Sequence, residues 1–290
     1  MPQTLSNGIH ITYEVAGHGE PLLLVMGLGG QLIDWHAEFV AALEEHFTVI
    51  RFDNRDSGLS SYSDAPVPTR WDLIKMSLRP ESVSPAYRLA DMADDAAGLL
   101  DSMGIVSSHV VGMSMGGMIA QQLAMQHPGK VRSLCSIMSH TGDRKSGRPS
   151  PRVITSLARR GRPSRTEALE VTMDLFRMVG GADWDEQAQR RRTAASLERA
   201  YNPGGVLRQS QAIATSPDRA KGLGVVTQPT LVIHGLDDTL VRPSGGIATA
   251  KAIPGSRLVM YPNMGHDLPA TRHNDMVRLI RANAARAGNK

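Results

Sequence analysis

Short apolar runs and helical stretches alternate along most of this chain, and the alternation predicts a sheet flanked by helices. Runs at 21–26, 47–53, 108–112, 131–138, 228–234 and 256–261 each suit one strand, and 9–15 has the look of an initial antiparallel strand. Helical stretches at about 36–46, 88–103, 115–127, 243–252 and 270–286 separate most of them. That order predicts an α/β fold with a mostly parallel, doubly wound sheet. The alternation stops between His140 and about Lys221. There the chain is polar, arginine-rich and patchily helical, as in Ser164-Arg165-Thr166-Glu167-Ala168-Leu169-Glu170-Val171.

One junction between a predicted strand and a predicted helix carries chemistry. Gly112-Met113-Ser114-Met115-Gly116 follows the β-branched Val110-Val111 and leads into a breaker-free stretch from Met118 to Ala124. G-x-S-x-G in that context is a nucleophile elbow. A serine at so sharp a turn sits in a strained backbone conformation, and its neighbours must be small for strand and helix to cross closely. The turn also aims the first free amides of the helix at whatever the serine attacks.

Such a serine needs an acid and then a histidine further along the chain. Residues 230–234 read as a strand, with Gly235-Leu236-Asp237-Asp238 just beyond it. Residues 256–260 read as the next, followed by Pro262-Asn263-Met264-Gly265-His266. A carboxylate and a histidine thus each fall past the C-terminal end of a parallel strand, the edge where open α/β sheets bind ligands. Asp238 is preferred to Asp237, because Gly-x-x-Asp before Leu240-Val241-Arg242-Pro243 puts its carboxylate where the loop turns back. The alternative is that both aspartates merely shape a turn. Of the ten histidines, His266 alone is presented by a glycine after a strand near the C-terminus. His234 is expected to be packed or hydrogen-bonded in a strand end, and His109, His127 and His140 to be structural or exposed.

The three residue types belong together chemically. A serine hydroxyl is a poor nucleophile until a neutral imidazole takes its proton, and a carboxylate fixes the imidazole tautomer. Two amides must then hold the oxyanion. The candidates are the N–H of Met115, directly after the serine, and the N–H of Leu28 in the glycine-rich loop Met26-Gly27-Leu28-Gly29-Gly30. That loop lacks the spacing of a phosphate cradle. Gly27, Met26, Met113 and Met264 near these loops, with Trp35 and Trp184, are candidate substrate contacts; core packing is the alternative for the methionines and tryptophans.

On these residues, and on Asp53-Asn54-Arg55-Asp56-Ser57-Gly58-Leu59-Ser60, the chain resembles the α/β-hydrolase superfamily over nearly its whole length. Val25-Met26-Gly27, the Asp53 turn and the elbow look most like the carboxylesterase group that includes anthracycline (aclacinomycin) methylesterases. The resemblance implies an α/β-hydrolase sheet of about eight strands. It also implies a cap between the sixth strand and the acid-bearing strand. The expected domains are a core of 1–140 and 223–290 and a mainly helical cap, 141–222. Two departures bear on pocket shape: Met26 stands where the superfamily usually has histidine, and Asp56 where the turn usually has glycine.

Composition narrows the remaining classes. At 290 residues with 41% hydrophobic content the chain can bury one large domain plus an insertion. Its one cysteine, Cys135, lies in an apolar strand, which precludes an internal disulfide and favours packing over catalysis. No apolar run is long enough for a membrane span, and residues 1–6 lack a leader pattern, so a cytoplasmic protein is expected. Segment 143–221 holds 16 Lys+Arg against 9 Asp+Glu, a surplus of 7 where the whole chain has +4. Either this surface steers anionic substrates or its arginines pair locally and face water. Arg190-Arg191-Arg192 is too short, and too poor in aromatics, for nucleic-acid binding. No zinc-protease spacing points to a metal. The expected activity is cofactor-free hydrolysis of a small-molecule carboxylic ester, with other hydrolase chemistry (C–C bond cleavage, lactone opening, perhydrolysis) or a slow-turnover ligand receptor as the rivals. The sequence leaves the oligomeric state open.

Overall fold

The computed structural model describes residues 1–288 apart from 70, 73–74, 76–78 and 160–162. Part of the predicted insertion (160–162) and the last two residues of the predicted core therefore lie outside the described residues. Eight strands form one sheet: β1 (Gln3–Ser6), β2 (Ile9–Gly17), β3 (Glu20–Val25), β4 (Phe47–Phe52), β5 (Ser108–Met113), β6 (Val131–Ile137), β7 (Thr230–Gly235) and β8 (Arg257–Tyr261). Their spatial order is β1-β2-β4-β3-β5-β6-β7-β8. The first two pairings, β1 with β2 and β2 with β4, are antiparallel, and every later one is parallel. Strand β1 is missing from the sequence reading. Its signal is Asn7-Gly8, both at positive φ (47° and 78°), the two-residue turn that asparagine and glycine favour.

Nine α-helices are defined among the described residues: α1 (Ala37–Glu44), α2 (Leu89–Ser102), α3 (Met115–Gln126), α4 (Pro151–Arg159), α5 (Arg165–Val179), α6 (Glu186–Arg199), α7 (Pro203–Thr215), α8 (Ser244–Ala252) and α9 (His273–Ala285). Strand β3 explains the layering. Its continuous apolar run sends Leu23 and Val25 to one face, where they meet Met92, Ala96 and Leu99 of α2 and Ile119 and Leu123 of α3. Leu22 and Leu24 point the other way, to Phe39 and Leu43 of α1 and Met276 and Ile280 of α9. A strand covered on both faces has no polar alternation. Each such leucine contributes roughly 1.5–3 kcal/mol by leaving water.

Helices α4 to α7 lie between β6 and β7, where the alternation breaks. Three of them start on side-chain caps. Ser164 and Glu167 form a reciprocal capping box at α5, Asp185 accepts the Ala188 N–H at α6, and Asn202 precedes Pro203 and accepts the Gly205 N–H at α7.

Candidate active site

Strand β5 ends at Met113, α3 begins at Met115, and Ser114 between them has φ 57° and ψ −120°. Such a backbone conformation costs a non-glycine residue on the order of 1–3 kcal/mol and persists only where the surroundings enforce it. Here they do. The Ser114 N–H donates to Ile137 O at 2.9 Å, and the Gly117 N–H returns to Ser114 O at 3.0 Å. The crossing is close enough that a Cβ on Gly112 would lie 2.1 Å from Gly116 O, and one on Gly116 1.9 Å from Val25 O. As the first residue of α3, Met115 has an N–H with no carbonyl one turn back inside the helix.

His266, in the loop after β8, has Nε2 3.0 Å from Ser114 Oγ and Nδ1 2.7 Å from Asp238 Oδ2. Asp238 is buried in the loop after β7, and its Oδ1 accepts the N–H groups of Leu240 and Val241 at 2.9 and 2.8 Å. Burial pushes this carboxyl up, but His266 and His234 outweigh it and bring the pKa down to about 2. An ionised carboxylate only accepts, so the proton on His266 faces Asp238 and the Nε2 lone pair faces Ser114. Asp237 is exposed, and its N–H is held by Met264 O at 3.0 Å; its carboxylate takes no part in this relay.

A residue expected to be packed or hydrogen-bonded in a strand end supports the acid from behind. His234 is fully buried, with Nε2 2.7 Å from Val241 O and 3.5 Å from Asp238 Oδ2. The bond to a carbonyl makes that nitrogen the protonated one. Position 234 had no motif to mark it. Three other histidines have local partners: His109 lies between Ser133 and Glu20, His127 meets Asp94, and His140 accepts the Gly142 N–H. Cys135 is buried, which raises its thiol pKa far above the usual range.

The loop at 26–30 lies against the serine. A Cβ on Gly27 would be 3.2 Å from Ser114 Cβ. Leu28 is 41% exposed. The Gly30 N–H donates to Gly27 O at 3.2 Å and the Gly29 N–H to Gln209 Oε1 at 2.7 Å, whereas no acceptor among the described residues faces the Leu28 N–H. The Asp53 turn braces this loop: Asn54 Nδ2 donates to Met26 O at 3.0 Å, and Asp53 Oδ1 accepts the Leu32 N–H at 2.7 Å. Asp56, the departure from the family pattern, sits at φ 65°. Its carboxylate receives Nε and Nη2 of the buried Arg208 at 2.8 and 2.6 Å and the Tyr87 hydroxyl at 2.6 Å. The side chain a glycine would lack thus anchors α7.

The candidate substrate contacts divide. Gly27 touches the serine. Met26, Trp35 and Met264 are 2%, 1% and 0% exposed and belong to the hydrophobic cluster shared with α1 and α9. Here the pocket reading gives way to core packing, because these side chains point into the domain while their backbones border the loops. Met113 is half-buried against the same cluster, and Trp184 is half-buried and stacked on Phe176 of α5, with centroids 6.4 Å apart. Several of the described arginines between β6 and β7 are engaged. Arg177 pairs with Asp174 and Glu186, Arg190 with Glu170 and Arg199 with Asp53, and Arg192 donates to Gln189. Among the described residues, no helix is long and apolar enough to cross a membrane, and no group of three or more His, Cys, Asp or Glu side chains could hold a metal ion.

Known proteins place this geometry in context. The chain is 30% identical, over an alignment of 317 residues covering 99% of both, to rhodomycin D methylesterase DnrP of Streptomyces peucetius. Two solved structures share the fold. The enol-lactonase of Burkholderia xenovorans LB400 is 23% identical with a TM-score of 0.74, covering 98% of this chain and 100% of that one. The esterase RhEst1 of Rhodococcus sp. ECU1013 is 21% identical with a TM-score of 0.75, covering 98% of each. The family model for the alpha/beta hydrolase fold matches residues 20–272, and the chain belongs to that family.

Proposed function

We propose that this protein is a serine hydrolase of small-molecule carboxylic esters. The observation that carries the reading is the relay of Ser114, His266 and Asp238, with contacts of 3.0 and 2.7 Å, built on the strained elbow. Similarity to a methylesterase supports an ester as the substrate. In this reading Ser114 Oγ attacks the ester carbonyl as His266 Nε2 takes its proton, and Asp238 stabilises the imidazolium. The carbonyl oxygen becomes an oxyanion facing the N–H groups of Leu28 and Met115, each worth roughly 3 kcal/mol to the transition state. Collapse breaks the bond to the alcohol oxygen, which receives the proton from His266. Water then attacks the acyl-enzyme by the same route, giving the acid and free serine. Each of these steps is served by protein groups, so the mechanism calls for no cofactor.

Segment 141–222 acts in this reading as a cap that sets substrate choice, with Trp184 and Met113 as the remaining candidate apolar contacts. The buried free thiol of Cys135 fits a reducing cytoplasm.

Hydrolysis of p-nitrophenyl acetate and butyrate tests the reading. Multiple turnover is expected, and Ser114→Ala should lower kcat by about 10⁴ to 10⁶ with the fold intact. An organophosphonate should label Ser114. One slow burst without turnover would point to a ligand receptor, and activity lost through labelling of another serine would overturn the site.

A further inference from the structure

The candidate oxyanion donors are main-chain atoms, so their chemistry depends on which way peptides face. The Gly30 N–H closes onto Gly27 O across Leu28 and Gly29. Gly29 has φ 68°, and Leu28 is not among the positive-φ residues, which is the type II pattern. Glycine at the third position leaves the Leu28–Gly29 peptide sterically free to turn over into the type I arrangement. Something must hold it.

The holder comes from α7, 180 positions away. Gln209 is 0% exposed. Its Oε1 accepts the Gly29 N–H at 2.7 Å, and its Nε2 donates to Arg55 O at 2.8 Å. Since Arg55 O can only accept, the amide has one orientation, with oxygen toward Gly29. The helix itself cannot slide easily, because the next residue back, Arg208, is locked on Asp56, and Asn202 Nδ2 bonds Asp56 O at 3.1 Å. Val206 of the same helix also fills the space against Gly29, 2.9 Å from where a Cβ would stand.

We propose that Gln209 is the positioning residue of the oxyanion loop: by holding the Gly29 N–H it fixes the turn that presents the Leu28 N–H to the substrate oxygen. The proposal rests on the ester-hydrolase reading. Released from Gln209, the Leu28–Gly29 peptide rotates and tilts the adjoining Gly27–Leu28 peptide that carries the donor. A segment remote from Ser114 in sequence thereby controls transition-state stabilisation without touching the reacting atoms.

The test uses the full chain and p-nitrophenyl acetate, together with the thiono ester in which C=S replaces C=O. A sulfur anion accepts hydrogen bonds weakly, so the preference for the oxo ester reports the oxyanion donors. Gln209→Met keeps the side-chain length and removes both hydrogen bonds. It should lower kcat for the oxo ester by about 10- to 100-fold, leave KM within about twofold, and shrink the oxo-over-thiono preference. A purely structural role would leave that preference unchanged. Gln209→Glu keeps an acceptor for the Gly29 N–H in either protonation state, so its oxo-over-thiono preference should stay nearer wild type than that of Gln209→Met. Unchanged kcat, or a lower kcat with the preference intact, would overturn the proposal. Should Gln209→Met not fold, Gln209→Leu takes its place with the same readouts, and a Gln209→Leu preference equal to wild type overturns the proposal. Wild-type turnover that survives Ser114→Ala would overturn the underlying reading as well, whereas turnover lost in that variant with an intact preference in Gln209→Met overturns this proposal alone.

Discussion

Asp238→Asn separates the orienting role of the carboxylate from its structural role. The new amide can still accept the Leu240 and Val241 N–H groups through its oxygen, so the loop keeps its hydrogen bonds. Its NH₂ then replaces Oδ2, 2.7 Å from His266 Nδ1, and two donors cannot share that contact. His266 is driven to the tautomer with a proton on Nε2, which donates to Ser114 Oγ and cannot take its proton. The expected loss in kcat is about 10⁴-fold, or ~5.5 kcal/mol of barrier, by analogy with the serine-protease triad. A stability effect should accompany it. The Asp238 carboxyl is lowered from 3.8 to about 2, which at neutral pH stabilises the fold by roughly 2 kcal/mol. A depressed carboxyl contributes fully above its unfolded value and loses the contribution as pH falls through the folded one. The stability gap between wild type and Asp238→Asn should therefore be full at about pH 6 and close as pH falls from about 4 toward 2. Steady-state hydrolysis of p-nitrophenyl acetate gives the first number, and urea unfolding at several pH values the second. Retention of a tenth of the activity, or an equal loss in Asp237→Asn, would refute the orienting role. A stability gap that stays constant on acidification would refute the electrostatic one.

Two other substitutions probe the scaffold. Gly116→Ala forces a methyl to within 1.9 Å of the Val25 carbonyl oxygen, so several kcal/mol should be lost in thermal unfolding, and a variant as stable as wild type would contradict the close crossing. Arg208→Met leaves the buried Asp56 carboxylate without its guanidinium and should cost about 3–5 kcal/mol. Burial pushes the Asp56 carboxyl up, but the bonds from Arg208 and Tyr87 outweigh it and hold it low, so acid unfolding of Arg208→Met should begin at higher pH than in wild type; an unchanged acid midpoint would argue that the pair contributes nothing.

The parts of this protein that were legible in its sequence are those fixed by neighbouring residues. Ser114 is announced by four flanking positions, a glycine and a methionine on each side. Asp238 could be preferred to Asp237 because the direction of the following chain decides which carboxylate turns inward. Local sequence does not tell which way a side chain beside a catalytic loop points. Met26, Trp35 and Met264 border the right loops and yet face the core. Long-range polar contacts were invisible for a related reason. Gln209 meets Gly29, and Arg208 meets Asp56 across 152 positions, with only ordinary helical residues around them to read. The missed strand β1 differs in kind, since Asn7-Gly8 was a usable hairpin signal that the short apolar content of residues 3–6 masked.

The helices between β6 and β7 are tied to the loops that carry His266 and Leu28, and in the proposed reading this limits how the site can open. The loop carrying His266 is tied to the end of α5: the His266 N–H donates to Val179 O at 2.7 Å, and Asp267 Oδ1 accepts the N–H groups of Gly181 and Gly265 at 3.1 and 2.8 Å. The loop carrying Leu28 is tied to α7 through Gln209, and α7 to the Asp53 turn through Arg208. Swinging these helices away as one body would separate the buried Asp56–Arg208 pair and break the Gln209–Gly29 and His266–Val179 hydrogen bonds together. It would also release both loops, and with them the position of His266 and the turn at Leu28 and Gly29. In the proposed ester-hydrolase reading, substrate entry that preserves the site must therefore use a smaller displacement, one that leaves α7 and the end of α5 in place.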